Sequence, residues 1–249
     1  MSIVIKSEQE IALMRRAGQI VAAVLEKLKS EVRPGVTTRD LDNTAVKEVT
    51  RLGGIASFKG YRGYPASICV SVNDEIVHGI PDQRVLKTGD VVSIDFGAIY
   101  RGFQGDAALT VGVGKLDAKA EALIGTTEGA LRAGITASRP GARLGDVSRA
   151  IQDYVESRGF AVIREYTGHG IGREMHEDPQ IPNFGIGGQG PVLKKGMTFA
   201  LEPMVTMGDW HTKVGSNNWT VSTLDGSLAA HFEHTIAITD EAAMVLTGI

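Results

Sequence analysis

Apolar residues recur at helical spacing near the start of the chain, directly after a helix-starting pattern. Ser7 and Glu10 match a capping box, in which each side chain satisfies a backbone N–H of the first turn. The apolar face of the predicted helix comprises six residues, which recur every three or four positions: Ile11, Met14, Val21, Val24, Leu25 and Leu28. Thr37 and Asp40 repeat the capping pattern, and Gly53 then ends a second predicted helix.

Two later segments favour β-structure instead. Residues 66–78 alternate apolar and polar positions, and residues 90–112 are rich in β-branched and aromatic side chains. Helical patterns return at about 118–134 and 143–158, and strands follow to the end of the chain. Because helices precede strands in each half without regular βαβ alternation, we expect an α+β fold with a mainly antiparallel sheet.

The order of these elements reflects an internal duplication. Residues 85–95 align with residues 192–202 at an offset of 107 positions, and each copy contains a turn, a buried strand and a terminal carboxylate. Upstream, residues 34–53 align with residues 140–159 at an offset of 106, each running from Pro-Gly to a helix-ending glycine. We therefore expect one domain made of two related halves, at about 1–115 and 116–249.

Composition and charge exclude several classes of protein. The 249 residues carry 26 Lys+Arg and 29 Asp+Glu, and a net charge of −3 gives no single-sign field that would hold nucleic acid or an anionic membrane. No run approaches the ~18 apolar residues of a membrane span, and Glu8 precedes any apolar signal region, so we expect a cytoplasmic protein. The single cysteine, Cys69, excludes an intrachain disulfide and leaves histidines and carboxylates to build any metal site.

Acidic residues end apolar strands where a core would be expected. Asp95 follows a buried run, and the chain turns soon afterwards. A two-residue loop centred between Tyr100 and Arg101 would place Asp95 opposite Asp106, with Cβ atoms roughly 5 Å apart. Like charges at that distance repel unless a cation lies between them. The alternative is that one aspartate caps the hairpin in a different register, and these two residues alone do not distinguish the two.

Three further residues favour a metal site. Glu202 ends the second copy of the strand, Glu233 interrupts an apolar run, and His169 lies between glycines that leave room for a ligand. Two Asp, two Glu and one His form a hard donor set without thiolate, which suits two divalent ions such as Mn, Fe or Co at least as well as Zn. His78 and His176 lie beside turn residues, from which a side chain can reach a cleft.

The histidines near Glu233 divide by the face of the strand on which they lie. His231 shares the face of Glu233 and remains a candidate ligand. His234 points to the opposite face, so we expect it to be a satisfied core histidine. His211 lies in a predicted loop.

Five segments taken in order resemble the type I methionine aminopeptidases of bacteria. They are His78–Pro81, Asp95 with Asp106, Gly168–His176, Gly196–Met204 and Phe232–Thr235. The resemblance covers nearly the whole chain and implies a single catalytic domain with the pita-bread fold, whose halves are related by a pseudo-twofold axis. The implied reaction is removal of an N-terminal initiator methionine, when the second residue is small, by attack of a metal-bridging water.

The resemblance also implies roles for particular residues. The metal ligands for two divalent ions (Co, Mn, Fe, Ni or Zn) would be Asp95, Asp106, His169, Glu202 and Glu233, with Asp106 and Glu233 bridging. Glu202 would also move protons, and His78 and His176 would face the substrate and contribute to catalysis. The methionine pocket would draw on Phe58, Tyr61, Tyr64, Cys69, Met175 and Trp219. Phe58, Met175 and Gln104 depart from the residues common in bacterial members.

Two other functions stay open at this point. A prolidase or aminopeptidase P would share the fold and the five-ligand pattern but cleave X-Pro bonds. A noncatalytic binding protein could keep the fold without chemistry. If the protein acts as a methionine aminopeptidase, we expect peptide or nascent-chain N-termini as partners and transient contact with the ribosome. We also expect a monomer that does not bind nucleic acid specifically.

Overall fold

The computed structural model describes residues 2–248, and this range contains four α-helices and fifteen β-strands. The helices are α1 (Glu8–Glu31), α2 (Thr38–Arg51), α3 (Ala118–Ala137) and α4 (Leu144–Glu156), and Tyr61–Gly63 forms a 3-10 turn. The strands are β1 (Ile55–Ala56), β2 (Cys69–Val72), β3 (Glu75–Val77), β4 (Val91–Tyr100), β5 (Phe103–Gly112), β6 (Ala161–Val162), β7 (Thr167–Gly170), β8 (Glu177–Pro182), β9 (Thr198–Leu201), β10 (Met204–Thr206), β11 (Thr212–Val214), β12 (Val221–Thr223), β13 (Ala229–His231), β14 (Glu233–Ile238) and β15 (Ala243–Val245). Within residues 2–248, no helix combines the length and the apolar character needed to cross a bilayer.

The strands form one large sheet and two small ones. The large sheet has nine strands in the order β1-β4-β5-β14-β9-β7-β8, with β2 beside β4 and β15 beside β14. The small sheets have the orders β13-β10-β6 and β11-β12-β3. All of the strand pairings are antiparallel, which confirms the predicted α+β class with an antiparallel sheet.

Both predicted helix starts are confirmed. Ser7 Oγ accepts a hydrogen bond from the Glu10 N–H at 3.3 Å, and the Glu10 carboxylate accepts one from the Ser7 N–H at 3.0 Å. Thr37 and Asp40 make the same reciprocal pair at the start of α2. These bonds satisfy N–H groups that have no partner within a helix, so the local sequence specifies where each helix begins.

Matched contacts reproduce the duplication in three dimensions. Thr37 pairs with Val85, and Arg143, which is 106 positions after Thr37, pairs with Val192, which is 107 positions after Val85. The Gly35 N–H donates to Leu86 O at 2.9 Å, and the Gly141 N–H donates to Leu193 O at 3.0 Å. The two halves therefore use the same backbone connection between a helix start and the turn before a buried strand. The boundary near residue 115 and the single catalytic domain stay predictions.

The hairpin of β4 and β5 corrects the predicted register. Its turn is formed by Arg101 and Gly102, both with positive φ (48° and 79°), so that Tyr100 pairs with Phe103. Asp95 consequently pairs with Ala108 and not with Asp106. Our register was wrong because a tight hairpin turn favours glycine within the loop, which moves the loop one residue further along the chain. The predicted partner of Asp95 was wrong by two residues. Because side chains alternate along a strand with a period of two, Asp95 and Asp106 still lie on the same face.

Helix α1 covers the opposite face of that hairpin. Gly105 precedes Asp106 and therefore points away from the acids, and a Cβ at Gly105 would lie only 2.7 Å from the backbone nitrogen of Gly18 in α1. The apolar residues between this helix and the sheet form one buried cluster, and a second cluster lies between the helices and strands of the other half. The acidic face is thus left to line a cleft.

Candidate metal centre and active site

Strand register places acids from both halves on one face of the sheet. Cys69 pairs with Asp95, Asp95 pairs with Ala108, and Ala108 pairs with Glu233, which makes a row across β2, β4, β5 and β14. Directly paired residues point to the same side of a sheet. Asp106 lies two residues before Ala108 and so shares that side.

His169 and Glu202 reach the same place from the second half. His169 on β7 pairs with Ala200 on β9, and Ala200 pairs with Thr235, two residues beyond Glu233 on β14. Glu202 follows β9 directly, and its Oε1 lies 3.6 Å from His169 Nε2. The large sheet therefore brings the five predicted metal ligands together.

The geometry of this cluster fits a divalent cation. One ligand atom from each of Asp106, His169 and Glu233 lies within 4.8 Å of the other two. Buried carboxylate oxygens of Asp95, Asp106 and Glu233 have no hydrogen-bond partner among the described residues. A buried polar atom without a partner is costly, and a cation would supply the missing interaction to all three at once. Carboxylate and imidazole donors suit hard and borderline divalent ions.

Burial dominates the electrostatics of the cluster. Burial, reinforced by the neighbouring carboxylates, raises the pKa values of Asp95, Glu202 and Glu233 well above their usual range. Burial likewise raises the pKa of Asp106 to about 7. Burial lowers the pKa of His169 to about 4, which keeps its imidazole neutral and able to donate a lone pair. Without a cation the carboxyl groups therefore hold protons that a metal ion would displace.

A cavity of about 160 Å³ opens on the cluster. Its wall includes the five candidate ligands and the eight other predicted site residues: His78, His176, Phe58, Tyr61, Tyr64, Cys69, Met175 and Trp219. The structure thus brings together all of the residues proposed from the sequence, while their individual roles stay predictions. Arg62 and His176 are the exposed members, which places the mouth of the cavity beside them.

Apolar residues form the inner part of the cavity. Phe58, Cys69 and Met175 are buried, and burial raises the pKa of the Cys69 thiol, so the thiol stays neutral. Tyr64 donates its hydroxyl to Gly79 O at 2.8 Å, and its ring meets Trp219 edge to face at 5.1 Å between centroids. The polar end of this tyrosine is therefore satisfied by backbone, and its ring is free to line an apolar wall.

Gly97 is a site residue that the sequence analysis missed. It pairs with Asp106, and a Cβ at this position would lie 2.9 Å from both Phe58 Cε1 and Met175 Cε. Any larger residue would push these two side chains into the cavity. A glycine inside a predicted strand is a recognised signal of such a close approach.

His176 is held by Tyr61. The Tyr61 hydroxyl lies 2.8 Å from His176 Nδ1, and the two rings stack with centroids 5.5 Å apart. Although His176 lies at the exposed mouth, its ring packs against Tyr61 and against His169, 4.2 Å away between centroids. This partial withdrawal from water, together with the charges of His169 and Arg62, lowers the pKa of His176 to about 3, so the imidazole is neutral at pH 7. When the Tyr61 hydroxyl donates to Nδ1, the single imidazole proton lies on Nε2, which can then donate to a substrate.

Comparison with known proteins identifies the family. The model of metallopeptidase family M24 matches residues 12–240. The chain belongs to metallopeptidase family M24. It is 50% identical over 247 residues to methionine aminopeptidase 1 of Bacillus subtilis (strain 168), which covers 99% of this chain and 100% of that protein. The crystal structure of methionine aminopeptidase from Thermotoga maritima superimposes with a TM-score of 0.98 at 50% identity and covers 100% of both chains.

These matches confirm three expectations for this M24 protein. The fold is the pita-bread fold, the chain is a metal-dependent peptidase, and the resemblance to methionine aminopeptidases holds over its whole length. A prolidase from Pyrococcus furiosus also matches, with a TM-score of 0.80 at 22% identity, and covers 99% of this chain and 66% of that chain. That likeness shows the common fold alone, so the X-Pro alternative is not favoured.

Two further residues lie at this site. The sequence analysis left the role of His231 as a ligand open, and it did not predict Arg62. His231 is buried, and its Nε2 lies 3.8 Å from Glu233 Oε2 and 4.0 Å from Glu202 Oε2. Alternation along the strand had signalled its face, and the structure brings it beside two candidate ligands. Arg62 lines the cavity because the 3-10 turn bends the chain there, and no sequence motif indicated it.

The remaining polar residues follow the sequence expectations in part. His234 lies on the opposite face from Glu233, and its Nδ1 is 2.8 Å from Thr247 Oγ1, as expected for a satisfied histidine. Gln104 Oε1 accepts a hydrogen bond from Ser57 Oγ at 2.7 Å. Because Ser57 directly precedes Phe58, this hydrogen bond helps to hold the pocket wall in place.

Proposed function

We propose that this M24 metallopeptidase removes N-terminal methionine from peptides and nascent chains whose second residue is small. One observation carries the proposal. A single cavity is lined on one side by a cluster of four carboxylates and a neutral histidine, and on the other by apolar residues. Relatives named methionine aminopeptidase, at 50% identity over nearly the full chain, support it.

The metal centre would use Asp95, Asp106, His169, Glu202 and Glu233 to hold two divalent ions. Two bound ions lower the pKa of water toward neutrality and polarise a peptide carbonyl. The carboxylates would provide the negative charge that the ions require. A bound ion would also offer a coordination site to a free, neutral α-amine, whereas an acylated nitrogen would not be a ligand because its lone pair is delocalised.

Proton movements fall to the side chains around the scissile bond. Glu202 lies at the edge of the cluster, with its Oε1 3.6 Å from His169 Nε2, and would accept a proton and pass it to the leaving amine. His176 would donate its Nε2 proton to the scissile carbonyl oxygen as negative charge develops there. His78, whose pKa burial lowers, would contact the scissile amide and orient it.

Recognition of methionine would come from the apolar end of the cavity. Phe58, Tyr64, Cys69, Met175 and Trp219 offer aromatic faces and sulfur atoms, which make favourable contacts with a flexible thioether. These residues share a cavity of about 160 Å³ with the candidate ligands, and this cavity would receive the methionine side chain. The second residue would lie toward the mouth beside His176, where we expect a small side chain to be preferred.

Peptide cleavage by reconstituted protein tests this function. Chelator-treated protein is reloaded separately with Mn, Fe, Co, Ni or Zn, and release of methionine from Met-Ala-Ser is compared with cleavage of Ala-Pro-Ser. We expect rapid methionine release, no release from N-acetylated Met-Ala-Ser, and little cleavage before proline. Rapid Ala-Pro-Ser cleavage with inert Met-Ala-Ser would support an X-Pro peptidase. Failure of every metal to bind or to activate the protein would instead favour a noncatalytic binding protein.

The cellular setting is also a proposal. We propose that the protein acts in the cytoplasm as a monomer that meets nascent chains, with transient contact with the ribosome. The near-neutral net charge of −3 is compatible with a monomer that binds peptides and not nucleic acid. Light scattering on a sizing column and co-sedimentation with ribosomes that carry short nascent chains test the two statements. A stable dimer, or sedimentation independent of ribosomes, would contradict them.

A further inference from the structure

The segment that carries His176 has little regular structure of its own. Residues 172–176 lie between β7 and β8, and β8 begins only at Glu177. Met175 on this segment lines the inner cavity, and His176 lies at the mouth. Because backbone ladders do not hold the segment, side chains must position it.

The carboxylate of Glu177 makes three contacts that define this segment. Its Oε1 accepts hydrogen bonds from the Arg173 N–H at 2.9 Å and from the Glu174 N–H at 3.4 Å. Its Oε2 forms an ion pair with Lys6 Nζ. Through Oε1 the Glu177 carboxylate thus closes the turn at residues 173–174, and through Oε2 it is anchored to Lys6.

Lys6 is an unusual anchor because it is buried. Its side chain is 4% exposed and that of Glu177 is 12% exposed, and among residues 2–248 Lys6 is the one buried lysine or arginine. Its own backbone is fixed, since the Lys6 N–H donates to Gly196 O at 2.8 Å. A buried lysine is costly unless it is paired, so a stability role alone gives little reason to place one here.

The backbone of Gly172 packs tightly against the ion pair. A Cβ at Gly172 would lie 2.5 Å from Lys6 Cε and 2.9 Å from Lys6 Nζ. The backbone at Gly172 therefore rests directly on the lysine side chain. At its other side, the Gln104 N–H donates to Gly172 O at 2.8 Å, which holds this end of the segment against β5.

From these contacts we infer that Lys6 is a positioning residue for the reaction: through Glu177 it holds residues 172–176 so that His176 meets the scissile bond. This inference rests on the proposed function. Residues 2–7, which precede α1, thereby act on the active site, although none of them lines the cavity. Misplacement of a catalytic group by about 1 Å can lower the rate about 100-fold.

Substitutions at both ends of the ion pair define the expected effect. Lys6→Met keeps an unbranched side chain, one atom shorter than that of lysine, and removes its charge, and we expect kcat for Met-Ala-Ser to fall about 10- to 100-fold. KM should change less, because most of the apolar pocket lies on other segments. Glu177→Gln, which removes the charge at the other end of the ion pair, should behave in the same way. Lys195→Met, which breaks the exposed ion pair of Lys195 with Asp240 (2.7 Å), is the matched control and should leave kcat unchanged.

A double-mutant cycle separates positioning from a general loss of stability. In a His176→Ala background, Lys6→Met should cause little further loss of kcat, because the group that it positions is already absent. Independently of activity, the amides of residues 172–176 should exchange hydrogen faster in metal-free Lys6→Met protein, with exchange in α1 unchanged. Thermal unfolding of each variant reports the stability contribution.

The outcomes are distinguishable. Equal losses of kcat from Lys6→Met with and without His176 would overturn the inference, as would unchanged exchange in residues 172–176. If wild-type protein releases no methionine with any metal, the proposed function fails, while the exchange experiment still decides whether Lys6 holds the segment.

Discussion

The two halves of the molecule share one frame but contribute different chemistry to the cleft. Strand β2 in the first half lies beside β4, and β7 in the second half lies beside β9, where β4 and β9 are the duplicated strands that lead to Asp95 and Glu202. On these two flanking strands β2 presents the thiol of Cys69, which pairs with Asp95 itself, and β7 presents the imidazole of His169, which pairs with Ala200, two residues before Glu202. The first half thus gives an apolar wall where the second gives a candidate metal ligand.

This difference shows how a duplicated frame can hold an asymmetric site. The first half supplies Asp95 and Asp106 together with most of the apolar pocket, whereas the second supplies His169, Glu202, Glu233 and the segment with His176. Neither half contains a complete ligand set. The site exists because the pairing of β5 with β14 places both sets on one face.

The largest expected effect tests whether the acids of the first half are indispensable. Asp106→Asn removes one of the charges that a buried cation requires, and we expect metal affinity to fall by more than the roughly 10- to 100-fold typical of changes to groups that support metal ligands. Methionine release should fall in parallel. Metal analysis after gel filtration and kcat/KM measure the two effects, with exposed Asp240→Asn as control. Normal metal content in Asp106→Asn would show that Asp106 is dispensable for metal binding.

The next prediction contrasts the contributions of the two halves to catalysis and binding. His176→Ala in the second half should lower kcat roughly 100- to 1000-fold, the usual effect of removing one donor to a developing oxyanion, with metal content unchanged. Cys69→Ala in the first half should mainly raise KM for methionine peptides. Steady-state kinetics with Met-Ala-Ser measures both, with His211→Ala as an exposed control. A loss of kcat of similar size in both variants would contradict the division of labour.

Removal of metal should make stability depend on pH. In the metal-free fold, burial raises the pKa of Asp106 to about 7 and those of its partners further, whereas an unfolded aspartate has a pKa of about 3.9. Above about pH 6.5 histidines are neutral in both states, so the folded protein binds more protons than the unfolded one, and the free energy of unfolding should decrease as pH rises through 7. Below that pH the lowered pKa values of buried histidines such as His169 and His176 act in the opposite direction.

Urea unfolding with and without chelator at several pH values measures this dependence. The metal-loaded protein should not lose stability over the same range, because the ions stabilise the ionised carboxylates. The Asp106→Asn variant should show a smaller slope without metal. A metal-free protein that grows more stable as pH rises from about 6.5 through 7 would contradict the assignment of these buried acids.

A smaller effect probes the contact between the halves at the pocket. Gly97→Ala places a methyl group 2.9 Å from Phe58 of the first half and Met175 of the second. Overpacking of this kind costs about 1–3 kcal/mol, and the displaced side chains should also raise KM for methionine peptides. Chemical denaturation and kinetics report the two effects, and Gly125→Ala, at a position with open space, is the control. Unchanged KM would place the pocket elsewhere.

The smallest expected effect concerns the starts of α2 and α4, which are equivalent helices in the two halves. Thr37 caps α2 with its side chain, whereas the matching residue Arg143 gives α4 no side-chain cap. Thr37→Ala should therefore cost about 1 kcal/mol of unfolding free energy, and Arg143→Ala should cost less. Urea denaturation followed by circular dichroism measures both. Equal costs would mean that the cap contributes nothing beyond the backbone contacts that the halves share.

Local patterns predicted much of the fold and the candidate site. Capping residues located the starts of α1 and α2, and the duplication anticipated the matched contacts of Thr37 and Arg143. The register of the β4–β5 hairpin was wrong because it depends on which two residues adopt positive φ at the turn, a choice that strand periodicity does not contain. Gly97 was missed because its importance lies in distant side chains that occupy the place of its Cβ.

The sequence by itself determined the α+β class, the duplication and the types of donor atom available, because these depend on periodicity, capping and residue chemistry. Only the tertiary structure decided how the donors meet. Pairing of strands distant along the chain places Asp95, Ala108 and Glu233 in one row, and burial then shifts the pKa values of the acids. The ion pair of Lys6 with Glu177, 171 positions apart, is likewise a product of packing. Long-range register and exclusion of water are collective properties of the folded chain, so no local pattern encodes them.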